Sequence, residues 1–411
     1  MTTSGTRADR STASSLRTRA ERLLAEAPDR RALAIAFSPS TASSVETLVG
    51  GDAFYPPMLE DAMAASSSIH INQFGFRPGV VGDEFAAALV RKATEGVAVR
   101  LVVDRQGSDP ERGARALYDR LVAAGVEVCV VRATQPRAPT GPLGAGRERS
   151  WNLRGLGHID HRKFVVVDGK VGWVGGAGIE DHFQDGRFHD LFVRVTGPVV
   201  AQLQFVFLAS VRWLRGGSSI ADVGELFPDL EDAGDGVPAL VLHNGPGKFR
   251  PITDAIAHLF ENAQETLDVV NPYVADRGMI RRIEQAARRG VRVRLFVPAN
   301  ANNWACAAAQ QFHHARLLDA GVRILEYPTM LHAKAFVRDG EELIAGTCNL
   351  EAWSLKRFFE IDLQIWSEAA ATQFDQRFSA PAEAVSAPGK RLTGVKERAK
   401  ATVFATLSPL L

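Results

Sequence analysis

The sequence predicts an α/β protein that contains two tandem copies of one layered domain. A motif with the pattern H-x-K-x4-D-G begins at His161 and occurs again at His332. Both copies continue, at the same distance, into a cluster of small residues, 175–178 and 346–349. Helical and strand-like segments alternate around the motifs, which is typical of layered α/β domains. Two copies with the same internal spacing indicate a duplicated chain rather than a chance match.

The first half is predicted to begin near Val45, after an N-terminal extension of residues 1–44 that is rich in Arg, Ala, Ser and Thr. Apolar residues between Leu16 and Leu24 recur at helical spacing, which predicts a short amphipathic helix that rests on a membrane or on the body of the protein. In the first half itself, glycines end the predicted helices just before apolar, β-branched runs that predict buried strands. The predicted helices are 57–65, 85–94, 112–124 and 198–214, and the predicted strands are 68–74, 97–103, 126–131, 164–167 and 191–195.

The second half repeats this order, and the segment Glu95–Leu101 matches Arg289–Leu295 almost residue for residue. The two predicted domains are 45–215 and 238–385, joined by a linker at 216–237 that is rich in Gly, Ser, Asp and Pro. The predicted helices of the second domain are 253–263, 281–289 and 304–320, and its predicted strands are 267–270, 291–297, 322–325 and 361–365.

A basic and then apolar tail, residues 386–411, follows the second domain. A basic amphipathic segment is suited to anchoring on anionic lipid. A helix packed on the second domain is the alternative, and the sequence does not decide between them.

The first half carries an insertion between its last predicted strand and its motif. Gly125 and His161 are much farther apart in the sequence than their counterparts Gly321 and His332. The additional residues fall in 133–157, a Pro-, Gly- and Arg-rich loop just before the motif, where functional loops concentrate. Its arginines are candidates for binding anionic headgroups, with a solvated surface loop as the alternative; they are Arg137, Arg147, Arg149 and Arg154.

The residue types of the two motifs suit the transfer of a phosphodiester. On a strand, residues i and i+2 share a face, so His161 and Lys163 are expected to point the same way. The same holds for His332 and Lys334. If the pairs face each other across a pseudo-two-fold axis, one imidazole attacks phosphorus and forms a phosphohistidine, while the other exchanges protons with the alcohols. Two ammonium groups stabilise the non-bridging oxygens, so this chemistry needs no metal and no cofactor.

Four carboxylates are associated with the motifs. Asp168 and Asp339 follow the motif strands beside a glycine, and we expect them to hold the motif together at a turn. Asp190 and Glu360 follow their respective motif histidines at spacings that differ by a single position. A carboxylate that accepts a proton from imidazole fixes its tautomer, so we assign these two acids to orienting the histidines, with an ordinary salt bridge as the alternative. The candidate catalytic set is His161, Lys163, Asp168, His332, Lys334 and Asp339.

The doubled H-x-K-x4-D-G pattern resembles the phospholipase D superfamily, and from about Ala53 onward the chain is similar to short bacterial cardiolipin synthases. Further resemblances are the loop 75–83, Asn152–Arg154, Asn271–Tyr273 and the terminal Leu407–Leu411. The resemblance implies two tandem α/β/α sandwich domains related by pseudo-two-fold symmetry. It also implies transfer of a phosphatidyl group from phosphatidylglycerol to a phospholipid hydroxyl, with release of glycerol.

Individual site residues follow from this resemblance. It implies that His161 is the nucleophile and His332 the acid/base, an assignment that the near-symmetry of the halves makes reversible. Substrate phosphate is expected at Gly176, Thr347 and Asn349. The first small-residue cluster departs from the family pattern, because Gly178 stands where asparagine is usual, as at Asn349. His158 and Asp160 also replace the more usual Arg-Asn pair just before the first motif.

Composition limits the partners and the location. Net charge is only +1, which argues against a dedicated nucleic-acid binder, and the three cysteines fit neither a disulfide framework nor a zinc site. No apolar run is long enough to span a bilayer. We expect a cytoplasmic enzyme that lies on the inner face of the cell membrane, contacts anionic lipid and takes a phospholipid substrate. The oligomeric state is not predicted.

Three other functions remain open from the sequence. A phospholipase D hydrolase would use the same two half-sites with water as acceptor and release phosphatidic acid. A metal-independent nuclease would need a basic, aromatic-lined groove, which the near-neutral charge disfavours. A non-enzymatic scaffold would require a damaged motif, and both motifs are whole.

Overall fold

The structure, a computed structural model, describes residues 34–132, 159–215, 223–230, 235–245 and 248–408. Some sequence-based predictions therefore lie outside the described residues. They are the helix at Leu16–Leu24, the arginine-rich loop 133–157 with Asn152–Arg154, His158, much of the linker 216–237, and the last three residues.

The first half contains nine strands and six α-helices among the described residues. The strands are β1 (Ser40–Ala42), β2 (Ser44–Val49), β3 (Ser68–Gln73), β4 (Ala98–Asp104), β5 (Glu127–Val131), β6 (Lys163–Val167), β7 (Val171–Gly175), β8 (Phe188–His189) and β9 (Leu191–Thr196). The helices are α1 (Gly51–Ala64), α2 (Val80–Thr94), α3 (Arg105–Ser108), α4 (Arg115–Ala123), α5 (Asp181–Gln184) and α6 (Val200–Leu214).

The second half adds nine strands and seven α-helices in its described part. The strands are β10 (Val237–Asn244), β11 (Thr266–Val270), β12 (Arg292–Pro298), β13 (Arg323–Tyr327), β14 (Met330–Leu331), β15 (Ala335–Arg338), β16 (Glu342–Gly346), β17 (Glu360–Trp366) and β18 (Ala387–Pro388). The helices are α7 (Pro251–Asn262), α8 (Arg277–Arg288), α9 (Trp304–Asp319), α10 (Ala352–Lys356), α11 (Glu368–Phe374), α12 (Ala380–Val385) and α13 (Val395–Leu407).

The two large sheets have the same strand order, which confirms the predicted duplication and the mixed α/β fold. The first sheet runs β2-β9-β7-β6-β3-β4-β5, and the second contains the corresponding series β10-β17-β16-β15-β11-β12-β13. In each sheet three strands pair in parallel and the motif strand, β6 or β15, runs antiparallel to the first of them. Each motif strand therefore begins at the edge where the parallel strands end.

Three apolar cores hold the layers of the described chain together. One core lies on the outer face of the first sheet under α1, α2 and α4, and another on the outer face of the second sheet under α7 and α8. The third core is shared, since it joins residues of both sheets with nearly all of α6. Helix α6 is buried almost all round, as a helix between two layers should be, so its aromatic residues serve in packing.

The two ends of the described chain join the second domain. Strand β1 falls inside the predicted N-terminal extension, yet it pairs with β10 of the second sheet. At the other end β18 pairs with β13, and α13 packs on α9, where the Phe404 ring lies edge-on to Trp304 at 4.8 Å. Of the two interpretations of the tail, the structure therefore favours the packed helix. No helix in the described part of the chain has the length and apolar character needed to cross a membrane.

Candidate active site

The two motif histidines lie where the halves meet. His161 precedes β6 and His332 precedes β15, at the edge where the parallel strands end. The backbone N–H of His161 donates to the carbonyl oxygen of Phe359 at 3.0 Å, and that of His332 donates to the carbonyl oxygen of His189 at 2.7 Å. Each histidine is thus fixed by a carbonyl of the opposite half. Strands β8 and β14 add a short parallel pairing between the halves beside His332.

The orienting carboxylates are crossed between the halves. Nδ1 of His161 lies 3.0 Å from both carboxylate oxygens of Glu360, which belongs to the second half. Nδ1 of His332 lies 2.6 Å from Oδ2 of Asp190, which belongs to the first half. If each Nδ1 carries the proton, Nε2 is left with its lone pair free for nucleophilic or proton-transfer chemistry. Both acids have the orienting geometry expected from the sequence, but each serves the histidine of the other half.

Neighbouring charges give these two buried acids different pKa values. Burial raises the pKa of Glu360 to about 7, although the ammonium of Lys163 and the hydroxyls of Ser354 and Thr347 oppose it. Burial would raise the pKa of Asp190 too, but Lys334 and His332 outweigh it, so the pKa of Asp190 lies below its ordinary value. Asp190 is therefore the more firmly ionised partner.

Both imidazoles are neutral in this environment. Burial, followed by the nearby charges of Lys163 and Lys334, lowers the pKa of His161 well below its ordinary value. Burial and Lys334 lower the pKa of His332 to about 3, against the opposing effect of Asp190. Each lysine acts on the pKa of both histidines, so the two half-sites form one electrostatic unit.

The lysines are as buried as the histidines. The ammonium of Lys163 donates to the carbonyl oxygen of His161 at 2.6 Å and lies 5.1 Å from the ring centre of Phe74. The ammonium of Lys334 donates to the carbonyl oxygen of His332 and lies over the ring of the same residue, 2.9 Å from Nδ1 and 3.2 Å from Nε2. Burial lowers the pKa of Lys163 to about 8 and that of Lys334 to about 7, despite the adjacent carboxylates.

Phenylalanine rings flank both imidazoles. Phe74 and Phe358 approach His161 with ring centres 5.1 and 5.9 Å away. Phe183 and Phe188 approach His332 at 5.4 and 5.7 Å. These apolar neighbours, which no motif in the sequence indicates, limit the space for water around the imidazole nitrogens.

Two of the predicted phosphate-binding residues instead support the orienting acids. The hydroxyl of Thr347 donates to Glu360 at 2.5 Å, and its backbone N–H donates to Asp362 at 2.7 Å. A Cβ atom on Gly176 would collide with Oδ1 of Asp190, so glycine is needed for the carboxylate to come this close. In the structure Thr347 and Gly176 thus position the acids, and their contact with substrate phosphate stays a prediction.

Asn349 carries an unpaired hydrogen-bond acceptor in the small-residue cluster of the second half. Its side chain is buried, and its Oδ1 atom has no hydrogen-bond partner in the described part of the chain. A buried polar atom of this kind costs free energy unless something pairs with it. An amide oxygen accepts and a phosphodiester oxygen cannot donate to it, so this atom suits a hydroxyl of the substrate, and the contact of Asn349 with the phosphate stays a prediction.

The site differs between the halves at Gly178, the counterpart of Asn349. A Cβ atom at Gly178 would lie 2.5 Å from Oε2 of Glu180, so the Glu180 carboxylate occupies the space that a side chain there would need. Glu180 pairs with Nε of Arg77 at 3.3 Å. Its counterpart Glu351 instead accepts from two backbone N–H groups at the start of α10. Where the family pattern has the amide of an asparagine, this chain therefore has the carboxylate of Glu180.

Asp168 and Asp339 lie at the far ends of the motif strands. Both adopt a left-handed conformation with φ of 52°. The Asp168 carboxylate accepts from the backbone N–H groups of Ser66, Ser67 and Ser68 at 2.8 Å. Asp339 accepts in the same way from residues 264–266. Both therefore hold the end of the motif strand to the start of the neighbouring parallel strand, β3 or β11, as expected from the sequence, so their place in the candidate catalytic set is structural.

Three further polar residues support the site from buried positions. Ser354 donates its hydroxyl to Glu360, and Asp362 accepts from the backbone N–H groups of Thr347 and Cys348. Asn271 bridges the small-residue cluster by donating to the carbonyl oxygen of Cys348 and accepting from the N–H of Leu350. Only Asn271 carried a sequence signal, because it follows the first strand of the second half. The described residues contain no group of three or more His, Cys, Asp or Glu side chains arranged to hold a metal ion.

A comparison with known families finds one matching segment in each half. The family model described as "Cardiolipin synthase, PLD-like domain" matches residues 58–207 and 256–381, one segment in each half. These segments contain both motifs and both orienting acids.

Curated relatives cover most of the chain. A probable cardiolipin synthase of Bacillus subtilis is 26% identical over 382 residues, which is 90% of this chain and 73% of the relative. A cardiolipin synthase of Geobacillus thermodenitrificans is 28% identical over 79% of this chain but only 63% of its own length. Cardiolipin synthase A of Pseudomonas fluorescens is 28% identical over 90% of this chain and 75% of its own length.

Solved structures share the fold at low identity. The crystal structure of phosphatidylserine synthase from Haemophilus influenzae superposes with a TM-score of 0.68 and 13% identity, covering 96% of this chain and all of that one. A polyphosphate kinase from Porphyromonas gingivalis has a TM-score of 0.54 at 12% identity, covering 89% of this chain and 53% of the kinase.

Proposed function

The chain belongs to the family of cardiolipin synthases with PLD-like domains, and we propose that it transfers a phosphatidyl group from one alcohol to another through a phosphohistidine. The observation that carries the proposal is the pair of neutral imidazoles, each held through Nδ1 by a carboxylate of the opposite half. One imidazole can then act as nucleophile and the other as proton carrier on the same phosphorus atom.

In the first step, His161 is the proposed nucleophile. Its Nε2 lone pair attacks phosphorus in line, a P–N bond forms, and the P–O bond to the leaving alcohol breaks. The leaving oxygen takes its proton from the imidazolium of His332, which the bound phosphodiester anion favours in the complex and the ionised Asp190 stabilises at 2.6 Å. The firmer charge on Asp190 supports this division of roles, because the residue that carries the positive charge benefits most from an ionised partner.

In the second step, the acceptor hydroxyl reacts with the phosphohistidine by the reverse of the first step. His332, now neutral, removes the proton from the hydroxyl, whose oxygen attacks phosphorus while the P–N bond breaks and frees His161. The ammonium groups of Lys163 and Lys334 stabilise the charge on the non-bridging oxygens in both steps. A protonated lysine pairs better with a dianion-like transition state than with the substrate monoanion, so this contact favours the reaction rather than binding alone.

The walls of the site favour an alcohol over water as the acceptor. Both imidazoles are flanked by phenylalanine rings, and the side chains of His161 and His332 are each only 11% exposed. An apolar wall of this kind accommodates the lipid part of an acceptor and restricts free water. We propose phosphatidylglycerol as donor and the hydroxyl of a phospholipid headgroup as acceptor, with the enzyme bound peripherally to an anionic membrane.

Mass spectrometry of the lipid products tests the reaction. Purified protein is incubated with phosphatidylglycerol vesicles, without added metal, and cardiolipin, phosphatidic acid and free glycerol are quantified. We expect cardiolipin and glycerol in equal amounts. Formation of phosphatidic acid without cardiolipin would show that the protein is a hydrolase rather than a transferase.

The two-histidine mechanism is tested in the same assay. His161→Ala and His332→Ala should each reduce turnover by at least about 1,000-fold, since each removes a group that the other cannot replace. His258→Ala is the matched control, because His258 lies on α7 away from the motifs. After acid-free quenching, His332→Ala is expected to retain labelled lipid on His161 if an activated donor is supplied. Substantial turnover by both motif variants would eliminate the mechanism.

A further inference from the structure

A second cationic site lies on the outer surface of the second domain, between α8, α9 and α13. It is a cavity of about 540 Å³, and no residue of either motif lines it. Its lining residues are Arg277, Arg281, Phe312, His313, Arg316, Ala405 and Thr406. A cavity lined by three guanidinium groups and an imidazole, with no carboxylate in the lining, is suited to an anion.

His313 is the residue that indicates a ligand. It is only 4% exposed, and neither of its ring nitrogens has a hydrogen-bond partner in the described chain. Burial and the charges of Arg316 and Arg277 lower its pKa to about 4, so the ring is neutral and offers one N–H donor. A buried imidazole with both nitrogens unpaired is costly, and an oxyanion in the cavity would accept from it.

The charge of the cavity is not balanced by its protein neighbours. Glu284 pairs with Arg316 at 3.0 Å, but it also pairs with Arg288 at 3.0 Å. Arg277 donates to the carbonyl oxygen of Ala405, which is a neutral partner. Among the described residues, no carboxylate lies within ion-pair distance of Arg277 or Arg281. The cavity therefore carries an excess of positive charge that a phosphodiester monoanion would reduce.

Apolar side chains surround this cationic cavity on the same helices. Phe312 lines the cavity and is 43% exposed, while Val403 and Leu407 on α13 are 53% and 41% exposed. At the start of α9, Trp304 is 59% exposed. The ammonium of Lys400 lies 4.8 Å from the centre of the Trp304 ring. Exposed aromatic and aliphatic groups beside cationic ones are the composition of surfaces that rest in the interface of an anionic bilayer.

We propose that this cavity binds the phosphodiester headgroup of an anionic phospholipid and docks the second domain on the membrane, separately from the catalytic site. Arg281 and His313 contact the headgroup oxygens, and Phe312, Val403 and Leu407 enter the interfacial layer of the bilayer. The outer face of α8, α9 and α13 is then the membrane-facing surface. The occupant is a lipid of the bilayer rather than a substrate, because none of the catalytic residues reaches this cavity.

Vesicle co-sedimentation of the full chain tests the site without requiring turnover. Binding is measured to vesicles made of two parts phosphatidylcholine to one part phosphatidylglycerol, and to pure phosphatidylcholine vesicles. Arg281→Gln should weaken partition to the anionic vesicles about fivefold, the effect of removing one arginine charge at such a surface. The matched control is Arg292→Gln, which removes an exposed arginine at the start of β12, outside the cavity, and should change partition less than twofold.

A second variant separates ligand binding from packing. His313→Leu keeps a side chain of similar size but replaces the polar ring with an apolar group that has no nitrogen. We expect the preference for anionic over neutral vesicles to fall at least threefold, whereas a purely structural role would change the unfolding midpoint and leave the preference intact. Equal partition of Arg281→Gln and Arg292→Gln, or an unchanged lipid preference in His313→Leu, would overturn the proposal. Because partition is measured without catalysis, failure here leaves the phosphatidyl-transfer proposal unaffected, and failure of transfer leaves this one standing.

Discussion

Lys163 and Lys334 are the residues whose charge state limits the proposed reaction. Burial brings their pKa values down to about 8 and 7, close to neutral pH. An ammonium in this position is lost as pH rises through its pKa, and with it the stabilisation of the non-bridging oxygens. The imidazole of His161, the proposed nucleophile, is already neutral in the free protein and produces no acid limb near neutrality in its kcat/KM profile. His332, the proposed proton donor, is neutral too and must take up a proton when the substrate binds.

We therefore predict that kcat/KM declines with rising pH, because His332 must take up a proton, and that the decline becomes steeper through an apparent pKa between about 7 and 8 as the lysines lose their charge. The alkaline limb of the kcat profile should lie at a higher pH than that of kcat/KM. A bound phosphodiester anion raises the pKa of both lysines, and kcat reports the pKa values of the enzyme–substrate complex. Steady-state kinetics from pH 5 to 9 measures both profiles. Lys334→Arg keeps its charge at every pH tested, so its alkaline limb should move upward although its rate is lower. An unchanged limb in both Lys334→Arg and Lys163→Arg would assign the titration to another group.

Gly178 offers a prediction about the asymmetry of the two half-sites. A side chain at this position would collide with Glu180, whose Oε2 lies 2.5 Å from the Cβ position, and would also crowd the carbonyl oxygen of Gly75 at 2.9 Å. Gly178→Asn should therefore lower the free energy of unfolding by about 1–3 kcal/mol through overpacking. The double variant Gly178→Asn with Glu180→Ala should recover part of that loss in urea unfolding. Additive effects of the two substitutions would show that Glu180 does not occupy this space.

At the scale of single elements, Asp168 fixes the start of β3 to the end of β6. Burial alone would raise its pKa, but the backbone N–H groups of Ser68, Ser66 and Ser67 outweigh that effect and lower it to about 2. Because the folded pKa lies below the unfolded value of about 3.9, the contribution to stability is present above pH 4 and is lost as pH falls toward 2. The group is partly exposed, so solvent screening reduces the contribution to about 1 kcal/mol.

Asp168→Asn should accordingly lower the free energy of unfolding by about 1–2 kcal/mol at pH 7, with less effect near pH 3, while kcat changes less than about threefold. Urea unfolding at both pH values and the lipid assay measure the two quantities. Asp119→Asn removes a surface carboxylate paired with Arg115 and should cost no more than about 0.5 kcal/mol. A large loss of kcat in a stable Asp168→Asn protein would return this aspartate to the catalytic set.

Local sequence signals located most of the elements. Gly96, Gly125, Gly290 and Gly321 end their helices with φ between 91° and 97°, as the glycine-valine pattern predicted. The start of α8 was placed too late in the sequence, at 281 rather than Arg277, because Asp276 caps the helix through its side chain. Strands β7 and β16 lead into the small-residue clusters and were not predicted, since their fit depends on close approach to neighbouring strands rather than on their own propensity.

Contacts distant in sequence were harder to predict. The pairing of β1 with β10 joins the N-terminal extension to the second sheet, and nothing in either strand specifies the other. The pairing of each carboxylate with the histidine of the other half was hard to predict for the same reason. The nearly equal spacings place Asp190 and Glu360 near their motifs but cannot say which histidine each acid meets, because that depends on how two sheets face each other.

For the whole molecule, the crossed pairs make the proposed catalysis a property of both halves together. His161 depends on Glu360 and His332 on Asp190, so neither half contains a complete histidine–carboxylate unit. The shared core around α6 keeps the sheets in the orientation that these pairs require. A displacement between the halves would therefore disturb both imidazoles at once.

The crossing predicts which histidine responds to each acid. In ¹⁵N-histidine spectra of this chain, which has ten histidines, Glu360→Gln should shift the Nδ1 signal of His161 and leave that of His332 nearly unchanged. Asp190→Asn should do the reverse, with His161→Ala and His332→Ala providing the assignments. Shifts confined to the histidine of the same half would contradict the crossed geometry.

The loss of kcat when either acid is replaced should follow how fully that acid is ionised. Asp190 is ionised throughout the neutral range, whereas Glu360, with a pKa of about 7, is already partly protonated there. Replacing Asp190 by Asn therefore removes a full charge from beside the imidazolium of His332, and kcat should fall about 100-fold. Replacing Glu360 by Gln removes a partial charge, and we expect a loss of about tenfold, equivalent to about 1.36 kcal/mol of activation free energy. The opposite ranking would assign the proton-carrying role to His161 and the nucleophilic role to His332.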